Sequence, residues 1–457
     1  MNLSRMLRER AAAGRPVTVG LIGAGKFGTM FMSQVRVTAG MHLVGVADLD
    51  VRRARSQLAG AGWPPEQYAP SSLDDAARSG ATAVTDDADA LIRHPAIEVI
   101  VEATGDPRTG IRFCLAAIEA GKHIVMVNVE ADALAGPLLA RRAAEAGVVY
   151  SLAWGDQPAL ICEQVDWARA AGFGVVAAGK GTRYLPTYHA SNPDTVWDIL
   201  DQYLKIEDRA SINPKMFNSF VDGTKSGIEM TAVCNATGLE AQAGGLTFPP
   251  ATRFELAEIC KPQENGGVLE RAGVTEVTSS VYRDGRDVPH HLAMGTYVVI
   301  DAESDYARRC FSEYHMLQDS SGRYASLYRP THMIGLELGI SVASVALRRE
   351  PTGAPVCFNS DVVATAKRAL SPGEVLDGEG GFLVWGRQCP ASCSLREGYL
   401  PLGLAQHVSL RNAVEEGEPV RWDDVEIEET DLAVRIRREM EAEFGKTPRP
   451  EARQLPR

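Results

Sequence analysis

Three glycines in VTVGLIGAGKFG constrain the fold of this chain more than any other stretch. Gly23, Gly25 and Gly28 stand as GxGxxG directly after the β-branched run Val17–Ile22 and directly before a helical pattern. In such a loop the first glycine allows a tight turn, the second lets backbone approach a pyrophosphate, and the third lets helix and strand pack closely. The helix that follows, with Lys26 and Phe27 at its start, offers free N–H groups and a positive dipole end to phosphate oxygens. Asp48 lies 20 residues beyond Gly28, at the end of a second run, His42–Ala47. A carboxylate there accepts hydrogen bonds from a ribose 2′-hydroxyl, which favours NAD. Arg52 and Arg53, one turn on, are suited to a 2′-phosphate or are simply solvated helix residues, so NAD and NADP both stay open.

The spacing around this loop predicts a doubly wound α/β fold. Further runs at Ile97–Val101, His123–Val127 and Val148–Leu152 alternate with helical stretches, the mark of βαβ units and a parallel sheet. From about residue 155 the texture becomes α+β, with strands expected at Phe173–Ala178 and Leu292–Ile300. RREPTGAP, Arg348–Pro355, reads as a linker, followed by a small, glycine-rich all-β stretch and a helical acidic run, Asp431–Glu443. The expected division is a Rossmann domain over 1–154, a catalytic and oligomerisation domain over 155–349, a β module over 350–430 and a tail over 431–457. A chain of 457 residues suggests about three domains on length alone.

A formal net charge of −12 argues against nucleic acid or an anionic membrane surface as partner. Eight scattered cysteines do not form a disulfide framework, and no run approaches a membrane span. With no apolar signal segment at the start, the expectation is a cytoplasmic protein.

Two strand ends join the glycine loop at the carboxyl edge of the sheet. VEATGDP places Glu102, Thr104 and Gly105 there, and VNVEAD places Asn128 and Glu130. Both would line a nicotinamide, or serve as caps for the helices that follow. The richest segment is 212–239, INPKMFNSFVDGTKSGIEMTAVCNATGL, where Asn213 and Pro214 start a helix and Gly238 stops it. Read as one helix at 100° per residue, it brings Asn218, Asp222, Lys225 and Glu229 within about 60° of one another, beside an apolar arc. A lysine between two carboxylates can hold or deliver a proton to a carbonyl oxygen; an ordinary ion-pair ladder is the alternative.

Lys180 and Arg183 in GKGTRY suit an anionic substrate, as point charge and bidentate fork. FSEYHM and YRPTHMIGLE supply Glu313, His315, Tyr328, Arg329, His332 and Glu337. On a strand, Glu313 and His315 would share a face, a conceivable divalent-metal pair. His290–His291 reads as a turn.

GAGKFG, EATG and the strand end at Asn128 resemble the cofactor domain of homoserine dehydrogenases. Asp222 and Lys225 resemble that family's catalytic Asp-to-Lys helix, with a spacing one residue shorter, while Asn128-Val129-Glu130 lacks the family's lysine. The stretch from DVVATAKRALSPGEVLDG to EEGEPVRWDDV resembles a SAF (β-clip) domain. The whole arrangement resembles the deoxyxylulose-phosphate-reductoisomerase-like (DRL) proteins. That resemblance implies NADPH-dependent conversion of 1-deoxy-D-xylulose 5-phosphate to 2-C-methyl-D-erythritol 4-phosphate. It further implies Lys225 with Asp222 or Glu229 as proton carriers, Lys180 and Arg183 on the phosphate, Asn218, Arg329 and His332 near the substrate, Mg²⁺ or Mn²⁺ as an added cation, and a homodimer. A simple dehydrogenase of another polyol, hydroxy acid or sugar acid, or an NAD(P)-sensing carbohydrate-binding protein, fits the same residues.

Overall fold

The computed structural model describes residues 2–202 and 213–445. Six strands form the first sheet: β1 (Val17–Ile22), β2 (Met41–Ala47), β3 (Ala83–Thr85), β4 (Val99–Glu102), β5 (His123–Met126) and β6 (Tyr150–Leu152). Their order is β3-β2-β1-β4-β5-β6 and every pairing is parallel. The doubly wound expectation therefore holds. The runs are nearly continuously apolar because helices cover both faces of such a sheet. The strand order reverses between β1 and β4, and ligands bind at the carboxyl edge of such a switch point. The glycine loop, Glu102–Gly105 and Asn128–Glu130 all lie on that edge. Strand β3 escaped the sequence reading because its three residues carry no period.

The second sheet contains β7 (Gly174–Thr182), β8 (Val274–Ser279), β9 (Thr296–Asp301), β10 (Leu317–Gln318) and β11 (Tyr324–Arg329), in the order β10-β11-β9-β7-β8. Only β7 and β8 run parallel, giving the expected α+β character. The helices Gln157–Ala170 and Thr224–Thr237 share its core through Ile161, Val165, Met230 and Val233.

The boundary expected at 349 is crossed. Helix Gly339–Arg348 returns to the first sheet, where Val342, Ala343 and Val345 join the core of Val19, Leu21 and Val101. The stretch read as a linker is pinned to the edge strand: Leu152 N donates to Gly353 O at 2.8 Å, and Thr352 N to the Ser151 hydroxyl at 2.9 Å.

Beyond it lies an all-β region. Strands β12 (Ser360–Ala366) and β14 (Val384–Pro390) pair antiparallel, and β13 (Val375–Asp377), β15 (Gln406–Leu410) and β16 (Val425–Glu426) form a three-stranded sheet. The acidic run is a helix, Leu432–Phe444, whose fully buried Arg437 reaches Asp361 of β12 at 2.5 Å and Leu134 O at 3.2 Å. Residues 446–457, the expected end of the tail, lie outside the described residues.

The segment read as one helix is two, Pro214–Val221 and Thr224–Thr237. Gly223 breaks it in the left-handed region (φ 92°), and Asp222 accepts from Thr224 N at 2.9 Å. A glycine at positive φ costs no Cβ clash, so the chain turns there and starts a new helix.

Removing one partner of a fully buried ion pair strands the other. Asp361→Ala should therefore cost about 3–5 kcal/mol at the junction of β region and tail helix. Chemical denaturation followed by tryptophan fluorescence should show the loss; an unchanged profile would mean that Arg437 finds solvent instead.

Candidate active site

The glycine loop shows three separate roles. A Cβ on Gly23 (φ 98°) would come within 2.6 Å of Ala103 O, and one on Gly28 would collide with Gly23 O. A Cβ on Gly25 would meet nothing within 4 Å, so open space lies where a pyrophosphate must approach. Gly25 also caps helix Lys26–Val35 without any side-chain hydrogen bond, leaving that end to an anion. Lys26 lies over the Phe217 ring at 5.7 Å, which sets helix Pro214–Val221 beside the loop.

Asp48 is buried and already occupied. It accepts from Ala24 N at 2.7 Å, from Asp50 N at 2.9 Å and from Arg53 at 2.9 Å. Arg53 keeps 54% of its side chain exposed, and Arg52 beside it is exposed as well. The residues present thus fit a dinucleotide, with an arginine pair where its 2′ position would fall.

At the β4 end, Glu102 is fully buried and accepts from Thr104 N at 2.9 Å, while its second carboxylate oxygen has no partner. Burial pushes this carboxyl up to about 7, against the pull of the hydrogen bond from Thr104. Asn128 donates to Asp106 O at 2.9 Å and accepts from Ala131 N at 3.1 Å. It is therefore a helix cap and a brace for the Thr104–Gly105 turn.

Glu130, expected against cofactor, instead accepts from Lys225. Lys225 starts helix Thr224–Thr237 and also stands 3.8 Å from Glu379, which comes from the C-terminal β region. One turn further, Glu229 pairs with Lys180 of β7, both almost wholly buried. His332 donates from Nδ1 to Met294 O at 2.9 Å and feels the charges of Glu229 and Lys180; burial lowers its pKa. Asp156, at the N-cap of helix Gln157–Ala170, feels Glu229, Lys225 and Lys180. Two ammonium groups and four carboxylates are thus gathered where both sheets and the β region meet. Burial first, then Glu229, pushes Asp156 up to about 7; burial, offset by Lys225, pushes Glu379 up to about 7. Burial works against the charge on Lys225, but Glu130 and Glu379 outweigh it and hold the ammonium firmly protonated. Such a cluster stores exchangeable protons near neutrality.

Several expected partners lie elsewhere. Asp222 does not flank Lys225; it is fully buried and pairs with Lys367 of the β region at 2.8 Å. The helix break at Gly223 turns it away. Asn218 spends both amide protons on Ser191 O and Gly380 O, each at 3.0 Å, and accepts from the Ser191 hydroxyl at 2.7 Å, and its side chain is fully buried, so it offers substrate no donor. Arg183 engages Asp287 at 2.7 Å, and Arg329 pairs with Glu337. Glu313 ends a helix and His315 follows at φ 55°, so they share no strand face. His290 does sit in a turn. Among the described residues, no three His, Cys, Asp or Glu side chains are placed to hold a metal ion, and the carboxylates here face lysines. This donor set does not fit a divalent cation.

Sequence reasoning missed Asp156, Glu379 and Lys367. A signal existed for Asp156: GDQP follows the last strand of the first sheet and reads as an N-cap ahead of a proline. Glu379 is one carboxylate among glycines, with no period to mark it.

Residues 155–338 match the family described as oxidoreductase DRL, catalytic domain, and residues 19–151 match homoserine dehydrogenase, NAD binding domain. The chain thus joins a segment matching an oxidoreductase catalytic domain to one matching an NAD-binding domain. A homoserine dehydrogenase of Methylobacillus glycogenes is 32% identical over 123 residues, 25% of this chain. The chain spans only 25% of that relative's length. The fold is similar to scyllo-inositol dehydrogenase from Lactobacillus casei with NAD(H) and scyllo-inositol, at 12% identity over 75% of this chain and 92% of the other (TM-score 0.36). It is also similar to a DOX-P reductoisomerase in complex with magnesium, at 14% identity over 49% and 58% (TM-score 0.33). Within the matched catalytic segment of this oxidoreductase stand Asp156, Lys180, Lys225, Glu229 and His332. Glu130 lies in the matched cofactor segment.

The open approach at Gly25 gives a direct check. Gly25→Ala should fold normally, since its φ of −72° suits alanine, yet weaken binding of a nicotinamide dinucleotide by about tenfold or more through contact with the pyrophosphate. Titration of NADH and NADPH fluorescence reads this, and undiminished affinity for both would place the dinucleotide elsewhere.

Proposed function

We propose that this oxidoreductase uses NADPH to reduce the carbonyl of a small anionic or polyol substrate. Its most specific form is the reductive isomerisation of 1-deoxy-D-xylulose 5-phosphate to 2-C-methyl-D-erythritol 4-phosphate. The observation that carries the reading is the pair of lysines, Lys225 and Lys180, held by carboxylates beside the nicotinamide edge of the sheet. When bound, the nicotinamide supplies the hydride. Lys225 donates a hydrogen bond to the substrate carbonyl oxygen and so stabilises the negative charge that develops there. Lys180, braced by Glu229, offers a second ammonium for a neighbouring hydroxyl or a phosphate. Asp156, with its pKa near 7, takes or returns the proton that a hydroxyl-to-carbonyl rearrangement must move. The carbon skeleton shift leaves an aldehyde, whose reduction consumes the hydride and one proton.

NADPH is favoured because Asp48 is tied to the loop and Arg53, while Arg52 and Arg53 present exposed guanidinium groups. We read the β region as the SAF-like module of this architecture. A dehydrogenase of another polyol or sugar acid is the second reading, favoured by the same two ammonium groups, which suit any hydroxylated carbonyl.

The purified protein should oxidise NADPH on addition of deoxyxylulose phosphate, and Lys225→Ala should lower kcat by about 10²–10⁴-fold while leaving cofactor affinity intact. Absence of NADPH consumption, with or without Mg²⁺ or Mn²⁺, sinks the specific reaction. Replacing Arg52 and Arg53 together by alanine should reduce the preference for NADPH over NADH by about tenfold or more; an unchanged ratio would remove them from the cofactor site.

A further inference from the structure

The loop between β13 and β14 is an unusual place for a carboxylate that faces inward. Glu379 lies between Gly378 (φ 71°) and Gly380 (φ 65°), and a Cβ on Gly380 would collide with Lys215 O. Glycine alone lets the loop press against helix Pro214–Val221.

Three side chains from other elements then lock it. Lys215 donates to Asp377 O, Asn218 donates to Gly380 O at 3.0 Å, and Lys367 donates to Gly381 O at 2.7 Å. Within the loop, Asp377 accepts from Phe382 N at 2.5 Å and Leu383 N at 3.2 Å. The same Lys367 ammonium holds Asp222 at 2.8 Å, so the helix break before Lys225 and the loop bearing Glu379 share one anchor. A surface loop of a peripheral module would ordinarily leave its carboxylate in water. Here the backbone on either side is fixed so that the carboxylate, with 26% of its side chain exposed, stands 3.8 Å from the Lys225 ammonium.

We infer that Glu379 is a positioning residue of the active site, supplied by the C-terminal β region, and that it fixes the charge and placement of the Lys225 ammonium. The β region is then a wall of the active site rather than an appendage. The groups facing Glu379 are Lys225 and Asp222 at the break between the two helices, Glu130 from the cofactor domain and the Ser219 hydroxyl. Lys215 is spent on a backbone carbonyl of its loop, and Lys367 on another together with Ser191 O and the Asp222 carboxylate. Burial raises Glu379 to about 7, so its support of Lys225 is complete above neutrality and fades as pH falls through that value.

The inference rests on Lys225 being the proton donor, but its test does not need turnover. Nitrogen-15 NMR of lysine-labelled protein, with Lys225 assigned through Lys225→Arg, follows the Nζ shift of this ammonium from about pH 5 to 9. In the unaltered protein the shift should step as Glu379 titrates at about 7, and Glu379→Gln should flatten that step and change the shift above it. Glu379→Asp should recover part of the step. A Lys225 Nζ shift that follows the same pH course in a folded Glu379→Gln protein overturns the inference; if glutamine is not tolerated, Glu379→Ser is read the same way. Failure of the underlying reading looks different: Lys225→Ala would keep full NADPH consumption even while the Lys225–Glu379 coupling stands.

Discussion

The contact between Lys225 and Glu130 is the point on which the active-site arrangement depends. Glu130 begins the helix that leaves β5 of the cofactor sheet, and Lys225 begins the helix that lines the second sheet. Each helix start is fixed by its own local device, the Asn128 cap on one side and the Gly223 break with Asp222 on the other. Joining two charges across domains in a partly dry environment is favourable only when geometry and further partners compensate their desolvation. Glu379 on Lys225, and the neighbouring Lys180–Glu229 pair, are such partners.

The energetic consequence is also the chemical one. With carboxylates outnumbering ammonium groups in the cluster, and water scarce, some of those acids hold protons near neutral pH. Asp156 and Glu379 are the two that burial pushes up to about 7. The proposed reduction with an accompanying hydroxyl shift needs such groups beside a charged hydrogen-bond donor.

Much of this was legible in the sequence. The glycine loop with Asp48, the alternating runs and the strand ends at Thr104 and Asn128 gave a doubly wound sheet and its ligand edge, because local periodicity and turn chemistry determine them. Lys225, Lys180 and Glu229, singled out by the same kind of reading, lie in one cluster. What periodicity could not show was partner choice. A continuous 3.6-residue projection placed Asp222 beside Lys225, but one glycine at positive φ sent it to Lys367, 145 residues away. Long-range pairings of this kind leave no local trace, and neither does the return of helix Gly339–Arg348 to the first sheet. Glu379 was invisible because its position is set by glycine contacts and by backbone hydrogen bonds from three distant side chains.

A crystal structure of the protein with NADP⁺ and a phosphonate analogue of the proposed substrate tests this arrangement most directly. The pyrophosphate should lie over Gly25, the nicotinamide ring against Thr104, and the polar groups of the analogue on Lys225 and Lys180. A ring bound away from that edge, or an analogue held by groups other than these two lysines, would contradict it.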